Sequence, residues 1–300
     1  MTRPSPALQR RQAVSGEPGR PGSPGRPATA PPVGVLGRFA PGALMGAVGR
    51  SGWTYRILTF VVLATAWEVF ARIDGGLLIP TFLETMQALV SLVGQSQTWD
   101  AFLVSNVALL LGFGFSVVVG IPAGLALGRF RRAERMLDIY LDILLVIPMA
   151  ALIPILVMST GIGLLSRVIL VVLFAIVMII VNSRAGVRQV SPQLLEMAAS
   201  LGANERQIWR KILLPSALPA IMTGVRIGLG RAITGMIIVE LLMVSVGMGG
   251  LMIEFRARFQ GPELYAMVII VVIESLLLIA AVRRLERVIM PWAIIPRRAS

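Results

Sequence analysis

The sequence predicts an all-α, polytopic membrane protein with six transmembrane helices, and three observations carry that prediction. First, 56% of the 300 residues are hydrophobic, only 14% are charged, and the mean hydropathy is +0.82. That composition belongs to integral membrane proteins rather than to soluble domains. Second, six apolar stretches follow one another, at about 54–73, 103–128, 139–160, 163–183, 217–244 and 264–282. A hydrocarbon core is crossed by about 20 helical residues, because only a helix satisfies its own backbone polar groups there. Third, the basic residues gather in alternate connections. With the N-terminus inside, the inner segments are the N-terminal tail, "RFRRAER" (129–135), the loop 184–216 and the C-terminal stretch with Arg283, Arg284 and Arg287. These hold most of the 28 Lys and Arg, whereas the outer segments hold Arg72, Arg167, Arg256 and Arg258. The asymmetry predicts both termini inside (N-in, C-in). The net charge of +13 is therefore read as a topology signal and not as a nucleic-acid footprint.

Residues 1–52, as in "GEPGRPGSPGRPATAPP", are rich in Pro, Gly and Arg and lack an apolar run. They read as a disordered basic cytoplasmic tail, with anionic lipid as an alternative partner for its arginines. Residues 53–292 read as the membrane domain and 293–300 as a short cytoplasmic tail. In the third span Pro148 and Pro154 predict bends, either beside a cavity or as ordinary packing kinks. "MSTGIG" (158–163) leaves room for only a tight turn before the fourth span. In the fifth span, "GVRIGLGR" spaces Gly224 and Gly228 for close helix contact.

Charges inside spans are costly and tend to pair or face water. Arg231 lies near the middle of span five and Glu274 near the middle of span six, which predicts a buried Arg231–Glu274 ion pair; alternatively Arg231 faces the pathway and passes an anion. Arg226 lies nearer the cytoplasm, where it can snorkel or bond to loop carbonyls. Glu68 and Glu240 fall near the outer membrane edges with no role assigned.

The chain has no cysteine and no histidine. Thiolate chemistry, histidine acid–base catalysis and the common metal sites are excluded on residue grounds. It also lacks a G-x-x-x-x-G-K-[ST] phosphate loop, so it is not expected to hydrolyse a nucleotide itself.

The long inner loop contains "LEMAASLGANERQIWRKILLP" (195–215). Ser191 can cap a helix with Pro192 at its first position, and Gly202 suits the left-handed residue that ends it. Asn204 with Gln207 makes a second capping arrangement, and Pro215 is expected to close the second helix. The local pattern predicts helix–glycine–helix at the membrane surface, whether as a connecting amphipathic element or as a rigid lever. Glu196, Glu205, Arg206 and Arg210 offer charges to a polar partner or to solvent.

Glu196, Ala198, Gly202, Ile212, Leu214 and Pro215 follow the pattern E-A-A, three residues, G, nine residues, I, one residue, L-P, with Met197 in place of the first alanine. This pattern resembles the cytoplasmic loop of permease subunits of binding-protein-dependent ABC importers. The resemblance runs over about 55–292. "LGFGFSVVVGIPAGLALGRFRRAERMLD" (111–138), "GIG" (161–163), Asn182 with Gly186, and "LPSALPAIMTGVRIGLG" (214–230) are similar to the nitrate/sulfonate/taurine/bicarbonate branch. Ser159-Thr160 stands where that branch has an aromatic residue, and "IVMIIVN" lacks its proline.

The resemblance implies a non-catalytic subunit in a bacterial cytoplasmic membrane, paired with a second permease copy, two ATP-binding subunits and an external solute-binding protein. ATP and Mg would sit on the ATPase, with no cofactor on this chain and no nucleic acid as partner. The loop residues Glu196, Ala198, Gly202, Ala203, Glu205, Arg206, Ile212, Leu214 and Pro215 would then couple to the ATPase. The pathway candidates are Pro148, Pro154, Asn182, Arg226, Arg231 and Glu274, for a small anionic or zwitterionic solute. The competing class is a self-contained secondary transporter or channel using Arg231 and Glu274.

Overall fold

The computed structural model describes residues 52–73, 79–242 and 246–293. The tail expectations, apart from Gly52 and Ala293, lie outside the described residues. The chain divides into two units, Met1–Thr54 and Tyr55–Ser300, and the second holds the packing described below.

Among the described residues every regular element is a helix. In chain order the helices are α1 (Gly52–Ile73), α2 (Phe82–Val93), α3 (Ser96–Arg129), α4 (Arg131–Val146), α5 (Ile153–Thr160), α6 (Leu164–Arg188), α7 (Pro192–Ser200), α8 (Glu205–Ile208), α9 (Leu214–Leu242), α10 (Gly247–Ala257) and α11 (Gly261–Ile289). Among these residues, four helices are long and apolar enough to cross a membrane: Ser96–Arg129, Leu164–Arg188, Glu205–Leu242 and Gly261–Ile289. A fifth crossing is possible if the bent pair Arg131–Val146 and Met149–Thr160 counts as one span. The first expected span is a helix of 22 residues. It is not one of these four or five.

The third expected span is corrected more sharply. Its two halves meet at 91° around Pro148. A proline disfavours the helical region for the residue before it, and Ile147 has ψ 127°. Pro154 interrupts nothing: it falls in the first turn of α5, where a missing N–H has no intrahelical acceptor anyway.

The core is built on α3, α6 and α9, which cross closely because small residues line the contacts. Along α3, Ala108, Gly112, Ser116, Gly120, Gly124 and Gly128 recur every fourth residue and so share one face. An added Cβ at Gly112 would lie 2.7 Å from Val171 Cβ, and one at Gly124 would lie 2.5 Å from the Ile180 carbonyl oxygen. Gly224 and Gly228 of α9 meet Asn182 and Ile179 of α6 in the same way, the helix contact their spacing predicts. This is how helices associate in lipid, where close backbone approach replaces the hydrophobic drive.

Two helices occupy stretches that hydropathy leaves as outer connections. The first, α2, starts with a capping box in which Thr81 and Glu84 satisfy each other's backbone N–H groups, and it packs on α11. The second, α10, packs on α3, α9 and α11.

Candidate coupling loop and intramembrane site

The inner loop is ordered by local hydrogen bonds. Ser191 Oγ accepts the Leu194 N–H at 3.3 Å and starts α7. At its other end Gly202 has φ +75°, and the Gly202 N–H bonds to Ala199 O at 2.9 Å and the Ala203 N–H to Ala198 O at 3.0 Å. This bonding pair is the glycine stop known as the Schellman motif. Asn204 and Gln207 then cap α8 reciprocally, both bonds being 2.9 Å.

The second helix does not stop at Pro215 as its sequence suggested. Trp209–Leu213 form a π-helical turn that runs on into α9, so residues 205–242 form one continuous helix. The wider turn places the register change just before the proline, which cannot donate to the preceding turn. The second half of the loop and the fifth span are thereby one helix.

The loop has a core face and a free face. Ala198, Ile208 and Leu213 are buried with Val187, Val190, Ala217, Ile221 and Val225, and Ala203 and Ile212 pack against them. Glu196, Met197, Leu201, Gly202, Arg206 and Arg210 are exposed, Leu201 at 80%. Leu214 is exposed and Pro215 half-buried. Glu205 is exposed and pairs with Arg129 at the end of α3 at 2.6 Å.

Among the pathway candidates, the expected Arg231–Glu274 pair is overturned. Arg231 is exposed and lines a cleft with Pro148, Met149, Phe174 and Met178. Glu274 is 6% exposed and turns into a separate cavity beside Asn106. Similar depth in neighbouring spans did not bring them to one face. Arg226 forms an ion pair with Glu286 of α11 rather than bonding to loop carbonyls. Asn182 donates to Met178 O within its own helix at 2.7 Å and packs its Cβ at Gly224.

Two buried polar clusters were missed by sequence reasoning. In one, Glu134 is buried against Arg184 and Arg188, and Arg184 also binds Asp138. In the other, Glu240 is 0% exposed. Its oxygens accept the Ser105 hydroxyl at 2.7 and 2.8 Å and the Gly249 N–H at 3.0 Å. Arg167 of α6 stands 3.6 Å away, and Ser105 Oγ accepts the Met248 N–H at 2.9 Å. Gly247 has φ +66°, and an added Cβ there would lie 2.5 Å from Glu240 Oε1. Four helices thus converge on one carboxylate. The available signal was a lone glutamate ending an apolar run, followed within ten residues by "GMGG".

Long apolar helices that enclose paired charges, joined by a capped helix–glycine–helix that leads into one of them, make an all-helical membrane protein of the permease class. The chain belongs to the family described as binding-protein-dependent transport system inner membrane component, whose model matches residues 116–294. It is 30% identical over 249 residues to the taurine transport system permease protein TauC of Escherichia coli (strain K12), covering 80% of this chain and 90% of that one. It is 30% identical over 237 residues to the formylaminopyrimidine transport permease protein ThiX of Halalkalibacterium halodurans, covering 78% and 94%. The putative aliphatic sulfonates transport permease protein SsuC of Bacillus subtilis (strain 168) is 29% identical over 245 residues, covering 81% and 89%. Inward-facing structures of the MetNI methionine ABC transporter match with a TM-score of 0.51 at 24% identity, over 68% of this chain and 96% of that chain; that likeness is one of fold. The protein is accordingly a non-catalytic, multi-pass inner-membrane permease of the ABC type, a family that binds no cofactor itself. Membership implies an ATPase and a solute-binding protein as partners.

Proposed function

We propose that two copies of this chain, or this chain with a paired permease, form the pathway of an importer for a small anionic or zwitterionic solute of the sulfonate or taurine kind. The exposed face of residues 191–208, seated on the core and continuous with α9, carries the proposal. A lever must neither melt nor pivot, and the caps, the Gly202 stop and the unbroken run of α8 into α9 support that reading. Met197, Leu201, Glu196, Arg206 and Arg210 supply the mixed apolar and charged surface that a groove on an ATPase subunit would grip. Closure of the ATPase pair would then move α9 as a unit.

The solute class is supported by the taurine and sulfonate relatives. It is also supported by Arg231, an exposed cation beside the Pro148 break, where a pathway-facing arginine would ease an anion past apolar walls. Six crossings with both termini inside, and a membrane domain over 53–292, fit the basic-residue distribution. They also fit the ring of exposed apolar side chains on α1, including Ile57, Leu58, Phe60, Val61, Val62 and Leu63.

The test is co-purification in mild detergent beside Gly202→Asp. An aspartate at φ +75° strains the backbone and puts charge on the docking face. Wild type should retain a Walker-A ATPase and the variant should lose it while eluting as a folded protein. A folded wild type that retains no ATPase would remove the coupling role.

A further inference from the structure

A second cavity, apart from the Arg231 cleft, lies between α2, α3 and α11. Its volume is about 410 Å³, within the range of about 300–1,000 Å³ typical of small-molecule sites. The walls are almost wholly carbon: Leu89 and Val93 from α2, Trp99 and Phe102 from α3, Ile270 and Leu278 from α11. Into this apolar space the fold puts Glu274. It is 6% exposed, and neither carboxyl oxygen has a hydrogen-bond partner. Asn106 gives one Nδ2–H to Phe102 O at 2.9 Å and holds its second beside the Glu274 carboxyl as the one donor in reach, whereas the single Trp99 Nε1–H goes to Val93 O at 2.9 Å. Thr98 Oγ1, also facing the cavity, is likewise buried and unpartnered. Among the described residues no cation pairs with Glu274.

We propose that this cavity binds a lipophilic amine, an ammonium group on a short apolar body, with Glu274 as its counter-ion. A buried carboxylate without a partner is expensive, and the walls can neutralise nothing of negative charge. An anionic or zwitterionic solute would bring a negative group to a site whose one charged side chain is already acidic. The guest therefore differs in sign from the solute proposed for the Arg231 cleft, which makes this a separate site. An ammonium would gain the Glu274 carboxylate and the Thr98 hydroxyl as acceptors. The faces of Trp99 and Phe102, 5.6 Å apart in an edge-to-face pair, would stack beside it and favour a cation. Trp99, Ile273 and Leu277 are exposed and form the mouth through which a membrane-dissolved molecule enters.

Dicyclohexylcarbodiimide reads this site directly. A carboxylic acid adds across its C=N bond, the acid proton passing to nitrogen and the oxygen to carbon, and the O-acylisourea rearranges to a stable N-acylurea. The transporter complex, in liposomes and in detergent, is treated with the reagent alone, with N,N-dimethyloctylamine, or with 2-methyldecane, which replaces nitrogen by carbon. Adducts are located by peptide mass spectrometry. The expected result is labelling at Glu274 that falls about tenfold at ten times the amine's Kd and is unchanged by the alkane. Leu278→Trp, which fills the cavity while keeping the carboxyl, should abolish the amine's protection. Equal protection by both compounds, protection by neither, or no labelling of Glu274 in either medium would each overturn the proposal.

Discussion

Glu240 and Glu274 are the same residue type placed in comparable surroundings, yet the fold treats them oppositely. Each interrupts a long apolar helix and each is buried, at 0% and 6% exposure. Adjacent residues of α3, Ser105 and Asn106, serve the two neighbourhoods. Glu240 collects a hydroxyl, a backbone N–H and a guanidinium from α3, α10 and α6. Glu274 has no cation and no close hydrogen bond, only the Asn106 amide beside it, and faces a cavity. A carboxylate in a low-dielectric interior holds structure together when several elements satisfy it. Left unsatisfied, it is a cost to the fold and is ready for a ligand.

The largest effect in that contrast is expected at Glu240→Ala, which strands Arg167, 12% exposed, without its counter-ion. Removing one partner of a buried pair costs about 3–5 kcal/mol, so thermal unfolding of the purified variant should shift strongly downward; a wild-type midpoint would break the distinction. Ser105→Ala comes next, because it removes the donor to both Glu240 oxygens and the acceptor of the Met248 N–H. About 1–3 kcal/mol is expected, and hydrogen exchange should rise at residues 246–250. The smallest effect is predicted for Glu274→Leu. It removes no ion pair and only the contact with the Asn106 amide, so stability should stay within about 1 kcal/mol of wild type or improve, as read by the same unfolding measurement.

The loop over 191–215 was largely legible in the sequence because every device in it is local. Ser191 caps a backbone group three residues away, Gly202 closes hydrogen bonds no more than five residues long, and Asn204 and Gln207 cap each other. The one local misreading, at Pro215, has a local cause: proline alone signals a stop, and the π turn that carries the helix through it leaves no signature in hydropathy. Four of the six expected spans were legible for the same reason, since apolar length is a one-dimensional property. The break at Pro148 was readable too, though its 91° angle was not.

Facing relations were not legible. Arg231 and Glu274 share depth, which sequence position reports, but they do not share a face, which depends on how α9 and α11 rotate against α3 and α6. The Glu240 cluster joins residues 105, 167, 240 and 249, brought together across as many as 144 positions of chain by the small-residue contacts of α3. Chain-local physics, namely hydropathy, capping and charge asymmetry, is written residue by residue, so helices, loop and family pattern follow from the string alone. Which buried carboxylate finds donors and which opens on a cavity depends on helix rotation and close packing among distant segments, and those emerge only when the helices meet.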